Sequence, residues 1–450
     1  MSLFNLQDAA QMAGGMARGQ ADIVRVSTDS RQILPGDLFV ALRGERFDGH
    51  AFAANALLAG AAAVMIDRDE YVGLQPSIVV QDTRLALGRM AAAWRKRQVL
   101  KMAAITGSSG KTTVKEMLAS IMRHAAGTSA VLATKGNLNN DIGVPLTLLQ
   151  LTAEHRYAVI EMGMNHAGEL DYLSRLAGAD LVLVNNAGHA HVGMLGSVEA
   201  VARAKGEIIT GSPGGAVVVI NADDAYAGLW RELAASRPIM TFGLEKQAQC
   251  RATFELQAES SLVHLESPAD AADFCLPVAG RHNVMNALAA ACAAQGLGIG
   301  LEDIVAGLEA FSAPAGRQVS LRLANGATLI DDTYNANPES VRAAIEVLAG
   351  RSGQRWLVLG DMGELGDASL EAHRQLGEYA SKQGIDRLFT LGEDSRVAAT
   401  AFGKNGRSYL QLEDLLTDLR SGLGGDVTVL VKGSRFMRME RVIQELKGSD

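Results

Sequence analysis

The chain has 450 residues, 48% of them hydrophobic and 20% charged, and a formal net charge of −8. That length predicts about three domains, the charge leaves no basic footprint for nucleic acid, and no apolar run reaches the ~18 residues a transmembrane helix needs. Cys250, Cys275 and Cys292 are scattered without metal-like spacing, which predicts packing roles and a reducing, cytoplasmic setting. Met1–Gly15 has neither a basic start nor an unbroken apolar core and does not read as a signal peptide.

Three blocks follow in chain order. Residues 1–84 carry short β-like runs at Leu38–Leu42, Ala63–Ile66 and Ile78–Gln81 and a helical stretch His50–Leu58, a small N-terminal α/β domain. Residues 85–312 open with a helix to Arg97, then the apolar run Met102–Ile105, which reads as a buried strand, and a helix over Lys115–Arg123. Between strand and helix lies Thr106-Gly107-Ser108-Ser109-Gly110-Lys111-Thr112-Thr113. A Gly-rich turn in that position aims backbone N–H groups and the positive helix end at one spot, which suits phosphate. Lys111 adds a mobile charge, and the Thr112 hydroxyl can ligate magnesium. The loop departs from the standard Walker A pattern, because Ile105 stands where that pattern wants its first glycine.

Further β-like runs at Tyr157–Glu161, Leu181–Asn185 and Val217–Asn221 alternate with helical patterns at Val198–Thr210 and Asn283–Gln295. The alternation predicts a central parallel sheet with active residues beyond its C-terminal strand ends. Residues 313–450 show β-like runs at Thr328–Asp331, Trp356–Leu359, Arg387–Leu391 and Val427–Val431 between helices, a second doubly wound, Rossmann-like domain. There is no internal repeat and no low-complexity tail.

Four motifs after the phosphate loop carry chemistry. Gly136-Asn137-Leu138-Asn139-Asn140-Asp141-Ile142-Gly143 is dense in amides and glycine, and turn chemistry alone accounts for it equally well. Glu161 ends an apolar strand, where a carboxylate can reach a metal beside the phosphate loop or simply face solvent. Asn185-Asn186 leads through His189 and His191 to Lys205; singly, each histidine reads as a surface residue and Lys205 as a solvated helix lysine. Gly280-Arg281-His282-Asn283-Val284-Met285-Asn286 feeds a small-residue helix whose amides can cap it or bind a nucleobase.

In this order the motifs resemble the Mur ligases of peptidoglycan synthesis, over nearly the whole chain. The short loop T-G-x-x-G-K-T-T is shared with those ligases and their folylpolyglutamate synthetase relatives. The resemblance is also carried by Thr28-Asp29-Ser30-Arg31 with Pro35-Gly36-Asp37-Leu38, by Gly136-Asn137-Leu138-Asn139-Asn140, by Asp332-Thr333-Tyr334-Asn335-Ala336-Asn337-Pro338, and by Leu359-Gly360-Asp361-Met362-Gly363-Glu364-Leu365-Gly366. These residues select the branch that adds a dipeptide. The Asp-Asn-Pro-Arg signature of the relative adding diaminopimelate or lysine is absent.

The resemblance implies three domains, a small N-terminal α/β domain, a central P-loop ATPase domain and a Rossmann-like C-terminal domain. It implies ATP-dependent joining of D-alanyl-D-alanine to UDP-N-acetylmuramoyl-tripeptide through an acyl phosphate, by a monomer. It assigns Gly107, Ser108, Ser109, Gly110, Lys111, Thr112 and Thr113 to the ATP phosphates, and Thr112 and Glu161 to a first Mg2+. His191 aligns with the family's second metal ligand, with His189 its close competitor. Lys205 aligns with the lysine the family carries as a carbamate, so Lys111, Lys205 and His191 form the implied catalytic set. Asn140, Asn283, Asn286, Arg317, Asp332 and Tyr334 are implied for adenosine, Asp332 on the ribose and Tyr334 flat against adenine. Ser30, Arg31 and the Gly44–His50 loop are candidates for the uridine diphosphate end, and Ser434 and Arg435 for the dipeptide carboxylate.

Two other readings stay open at this level. One is the Mur ligase that adds the third amino acid; a folylpolyglutamate synthetase is disfavoured by the block before Leu85. The other is a nucleotide-driven switch or motor, which wants a Walker B aspartate where this chain has Glu161.

Overall fold

The structure, a computed structural model, describes residues 3–448 apart from Arg46 and Ala269. It has three α/β domains. The first holds a five-stranded sheet in the order Met16–Arg18, Ser77–Val79, Ala63–Ile66, Asp37–Val40, Arg25–Ser27, parallel except at its first pair. The central domain holds a fully parallel six-stranded sheet in the order Val131–Ala133, Tyr157–Glu161, Lys101–Thr106, Leu181–Val184, Val217–Asn221, Ile239–Phe242. The third domain has a six-stranded sheet in which only Val319–Arg322 runs antiparallel to its neighbour Thr328–Asp332.

The strands Tyr157–Glu161, Val217–Asn221 and Arg387–Leu391 and the helix Val198–Thr210 have the bounds their patterning predicts. A three-stranded antiparallel sheet over Arg251–Leu256, Ser261–Glu266 and Ala271–Leu276 was not predicted. Only one side of its middle strand is covered: Ser261, Val263 and Leu265 are buried while Leu262 and Glu266 are exposed. Polar and charged residues such as Arg251, Glu255, Glu266 and Asp273 interrupt the outer face, so no apolar run announces these strands.

The helix Arg281–Gly296 explains the position of the nucleotide-facing amides. Its small side chains are buried nearly all round, from Val284 to Ala294. A helix without a polar stripe must be enclosed, and this one shares a core with the phosphate-loop helix Lys111–Ala126 and the antiparallel sheet. Its N-terminal turn is thereby fixed beside the phosphate loop.

A single hydrophobic core joins the first two domains, running from Phe4, Leu6 and Leu38 through Met90 and Ala91 to Met102, Leu148 and Ile160. The helix Thr83–Lys96 lies at its centre, with Trp94 edge-on to Phe4 and donating to Leu151 O at 3.0 Å. The C-terminal domain has two cores of its own, one on each side of its sheet. Among the described residues no helix is long and apolar enough to cross a membrane.

Candidate active site

A cleft of about 540 Å³ lies between the central and C-terminal domains. On its floor, the strand Lys101–Thr106 runs into the phosphate loop, and the helix Lys111–Ala126 starts directly after Gly110. Gly110 has φ +79°, and a Cβ there would approach Asn286 Oδ1 to 2.4 Å. Glycine is required by both counts. The helix has no side-chain cap, so its first N–H groups present unpaired positive dipole ends to the cleft.

The loop is braced from the next strand. Ser109 N donates to Asn186 Oδ1 at 2.8 Å, and the Asn185 and Asn186 amides donate to Ser109 O at 3.0 and 3.1 Å. Asn185 also donates to Asn286 Oδ1 at 3.2 Å, and Asn283 donates to Gln318 Oε1 at 3.0 Å. The buried Asn185 Oδ1 has no hydrogen-bond partner among the described residues. A backbone cradle that a Cβ would fill, with an uncapped helix end, fits a nucleotide's phosphates.

Beside it, Thr112 Oγ1 donates to Glu161 Oε2 at 2.8 Å, and Asn139 Nδ2 donates to Glu161 Oε1 at 2.8 Å. Arg317 from the C-terminal domain donates to Thr112 Oγ1 at 2.8 Å. Among the described residues no three His, Cys, Asp or Glu side chains form a ready metal cage. One hydroxyl and one carboxylate, both hard oxygen donors, suit Mg2+, which is commonly held by one or two carboxylates, water and substrate phosphates.

Of the two candidate lysines, the half-buried Lys111 lines the cleft and the buried Lys205 does not. Lys111 donates to Gly107 O at 2.6 Å, and burial lowers its pKa. Lys205, on the helix Val198–Thr210, is 1% exposed. Burial pushes its pKa well below the ordinary lysine value, and the nearby charge of Lys111 pushes it the same way. Lys205 is therefore a neutral amine over much more of the pH range than a surface lysine.

The C-terminal domain supplies the opposite wall. Lys432 donates to Asp332 Oδ2 at 2.6 Å and to Asn335 O at 3.0 Å. Burial raises the Asp332 pKa, against the opposing charge of Lys432. The Arg317 guanidinium lies 4.3 Å from the Tyr334 ring centre and that of Arg435 lies 5.9 Å away, so Tyr334 is already engaged by cations. Asn337 Nδ2 donates to Ser109 Oγ at 2.9 Å. His191 Nδ1 stands 2.9 Å from Glu364 Oε2, and His189 Nδ1 stands 2.5 Å from Glu339 Oε1. The contact with His191 lowers the Glu364 pKa, burial opposes it, and Lys111 and Lys205 lower it further.

Ser108 to Thr113, Asn140, Glu161, His191, Asn283, Asn286, Arg317, Asp332, Tyr334 and Arg435 all line this cleft. Gly107 lies just beneath, a Cβ on it meeting Asn185 Cβ at 2.9 Å. His189 is more exposed than His191 and does not line the cleft. Asn140 uses its side-chain oxygen on Gly143 N at 2.9 Å. Ser434 is buried, its hydroxyl accepting from Gly363 N at 2.9 Å and donating to Ala336 O at 3.2 Å, so it supports the wall without lining it.

Ser30 and Arg31 lie in a short 3-10 turn of the first domain, away from the cleft, with Arg31 folded back on Asp29 at 2.8 Å. In the Gly44–His50 loop, Arg46 lies outside the described residues. His50 is buried and bound to Asp48 at 2.6 Å.

Sequence reasoning gave no role to Asn139, Asn185, Asn186, Asn337, Glu339, Glu364 or Lys432. Asn185 and Asn186 end a strand beside the phosphate loop, a placement the sheet order makes meaningful only once folded. Glu364 did carry a signal, a carboxylate between two glycines of a quoted motif.

Three family profiles match the chain: "Mur ligase family, catalytic domain" over residues 22–95, "Mur ligase middle domain" over 105–294, and "Mur ligase, glutamate ligase domain" over 316–435. The UDP-N-acetylmuramoyl-tripeptide–D-alanyl-D-alanine ligase of Escherichia coli K12 is 43% identical over 448 residues, covering 98% of each chain. That of Haemophilus influenzae is 42% identical, covering 94% of each. A crystal structure of MurF from Acinetobacter baumannii aligns at TM-score 0.92 and 38% identity over 100% of both chains. MurF ligase from Thermotoga maritima in complex with ADP aligns at TM-score 0.83 and 27% identity, over 94% of this chain and 97% of that one.

Proposed function

The chain belongs to the Mur ligase family, and on that premise we propose that it joins D-alanyl-D-alanine to UDP-N-acetylmuramoyl-tripeptide. The family places it among the ATP-dependent ligases of peptidoglycan precursor synthesis. The finer assignment is supported by relatives of that name at 43% and 42% identity along almost the whole chain. The observation that carries it is one cleft in which the phosphate loop and Lys111 face the Arg317, Asp332 and Arg435 wall of the C-terminal domain.

The physical task is to bring an anionic carboxylate to an anionic phosphate. The uncapped helix end and Lys111 neutralise the β- and γ-phosphates. The acceptor's carboxylate oxygen bonds to the γ-phosphorus as the bond to ADP breaks, giving an acyl phosphate. The dipeptide nitrogen then attacks the acyl carbon, loses its proton, and phosphate leaves. Mg2+, when bound, adds charge neutralisation at the phosphates. Thr112, Glu161 and His191 are the residues that would hold it. Asn283, Asn286, Arg317, Asp332 and Tyr334 are assigned to the adenosine, with Arg317 giving up its contact to Tyr334 if adenine stacks there. Ser30 and Arg31 are assigned to the uridine diphosphate end.

Lys205 is proposed to act as its carbamate. A neutral amine bonds carbon dioxide and loses a proton, turning a costly buried cation into an anion beside Lys111. Burial and the Lys111 charge supply the neutral amine that this reaction needs.

The test is phosphate release from ATP and magnesium with the nucleotide-sugar tripeptide and the dipeptide supplied separately and together. Release that requires both, with a pentapeptide product by mass, is the expected result. Release with a single amino acid in place of the dipeptide would move the chain to the neighbouring Mur activity. Release with neither would leave a nucleotide switch.

A further inference from the structure

One carboxylate in the cleft has no task in the scheme above. Glu364 lines the cleft from the C-terminal domain and holds φ +66°, which non-glycine residues seldom adopt. Its carbonyl accepts from Gly193 N at 3.1 Å, pinning the strained turn to the central domain. Its Oε2 stands 2.9 Å from His191, yet the side chain remains 45% exposed. The other carboxylates lining the cleft have partners of their own. Glu161 holds Thr112 and Asn139, Asp332 holds Lys432, Glu339 holds His189, and Glu169 holds His166 and Asn165 N.

The turn carrying Glu364 is stitched to a second turn of the same domain. Gly363 N donates to Ser434 Oγ at 2.9 Å, and a Cβ on Gly363 would meet the Phe436 ring at 3.0 Å. Between Ser434 and Phe436 lies Arg435, which lines the cleft. Phe436 is 63% exposed, a large aromatic left bare beside a catalytic cleft. One seam therefore presents a carboxylate, a guanidinium and a free apolar face.

With Arg435 already implied by the resemblance for the carboxylate, we propose that Glu364 and Phe436 complete a clamp for a short zwitterionic peptide, Glu364 taking the ammonium and Phe436 the small side chains. The clamp rests on the reading that this domain delivers a dipeptide amine. The orientation follows from charge. The helix end and Lys111 make the reacting side of the cleft positive, and an ammonium entering there needs a compensating anion. Glu364 is that anion, 2.9 Å from His191 of the central domain and close enough to Lys111 to feel its charge. The amino end thus points at the phosphate loop and the carboxylate end away from it. The strain at Glu364 fits a residue held in place for a ligand.

The experiment uses the full chain with ATP, the nucleotide-sugar tripeptide and three probes: D-Ala-D-Ala, Gly-Gly, and N-acetyl-D-Ala-D-Ala as a competitive inhibitor lacking the ammonium. E364Q is expected to raise KM for D-Ala-D-Ala about 10- to 100-fold, the range for a lost charged hydrogen bond. KM for ATP and for the nucleotide sugar should stay within about twofold, since neither substrate carries that ammonium. The parent should bind the free dipeptide far better than its N-acetyl form; E364Q should bind both alike, and E364D, which keeps the charge, should retain the preference. F436A should narrow the preference for D-Ala-D-Ala over Gly-Gly by about tenfold, the worth of methyl contacts. An E364Q enzyme that still discriminates against the N-acetyl form, or that raises all three KM values alike, overturns the clamp. Absence of turnover by the parent with the dipeptide would overturn the assigned reaction itself, before any variant is compared.

Discussion

Asn337 Nδ2 reaches across the cleft to Ser109 Oγ at 2.9 Å, tying a helix cap of the C-terminal domain to the phosphate loop. Asn337 Oδ1 meanwhile accepts from Ser340 N at 2.8 Å, capping the helix Pro338–Ala349. A second tie runs from Asn283 to Gln318. The loop that receives phosphate and the domain that must close over it therefore share hydrogen bonds.

Ser109→Ala removes the first tie and leaves the helix cap intact. It should raise KM for ATP about 2- to 10-fold, the worth of one net hydrogen bond. Small-angle scattering should show a larger mean radius without nucleotide, because the closed arrangement has lost part of its advantage. An unchanged radius and KM would mean that the contact contributes nothing to closure.

Gly110→Ala should abolish nucleotide binding. The left-handed φ costs an alanine about 1–2 kcal/mol, and the new Cβ strikes Asn286 Oδ1, which Asn185 holds. Calorimetric titration with ADP is the readout. Binding within about tenfold of the parent would show that the loop shifts more freely than its bracing suggests.

Lys205→Met should separate stability from activity. In bicarbonate-free buffer the buried amine has a pKa below its unfolded value of about 10.4. Between those two values the unfolded chain binds one more proton than the folded one, so stability rises with pH across that window. Methionine removes this slope. The variant should melt roughly 2–4 °C higher at pH 7, and the gap should close toward pH ~10. It should be inactive, and a Lys205→Ala variant should regain activity with a short added carboxylic acid but not with bicarbonate. A fully active variant would remove Lys205 from the mechanism.

Glu161→Gln keeps the contact to Thr112 but loses the charge. The Mg2+ concentration for half-maximal activity should rise at least about tenfold, with the KM for dipeptide unaffected. A magnesium titration that does not move would take Glu161 out of the metal site.

The sequence made the central sheet legible because its strands are buried on both faces and read as unbroken apolar runs, as at Leu181–Val184. The phosphate loop was legible because strand, glycine and helix must be adjacent in the chain. The antiparallel strand Arg251–Leu256 was not legible, since its exposed Arg251, Thr253 and Glu255 hide its one packed face. In the site, Lys205 taken alone looked like a solvated lysine, whereas the carbamate implied by the resemblance asked for one desolvated or beside positive charge; the fold encloses it. Glu339 and Asn337 lie far along the chain from His189 and Ser109, and no local pattern records such a pairing. Tyr334 was expected to offer a free face to adenine; folding brings Arg317 over it.

The core shared by the first two domains bears on how this chain can be divided. A cut near residue 84 would fall inside the helix Thr83–Lys96 and strip Met90, Ala91 and Trp94 of partners on both sides. Neither fragment would keep that shared core closed. A cut near residue 313 severs no such cluster, because the apolar interior from Leu321 to Leu446 is complete within its own segment. The chain is severable at one place and not at the other. Split into two pieces there, it would leave the phosphate loop on one fragment and the facing wall of Arg317, Asp332 and Tyr334 on the second, ready to be recombined in a tube.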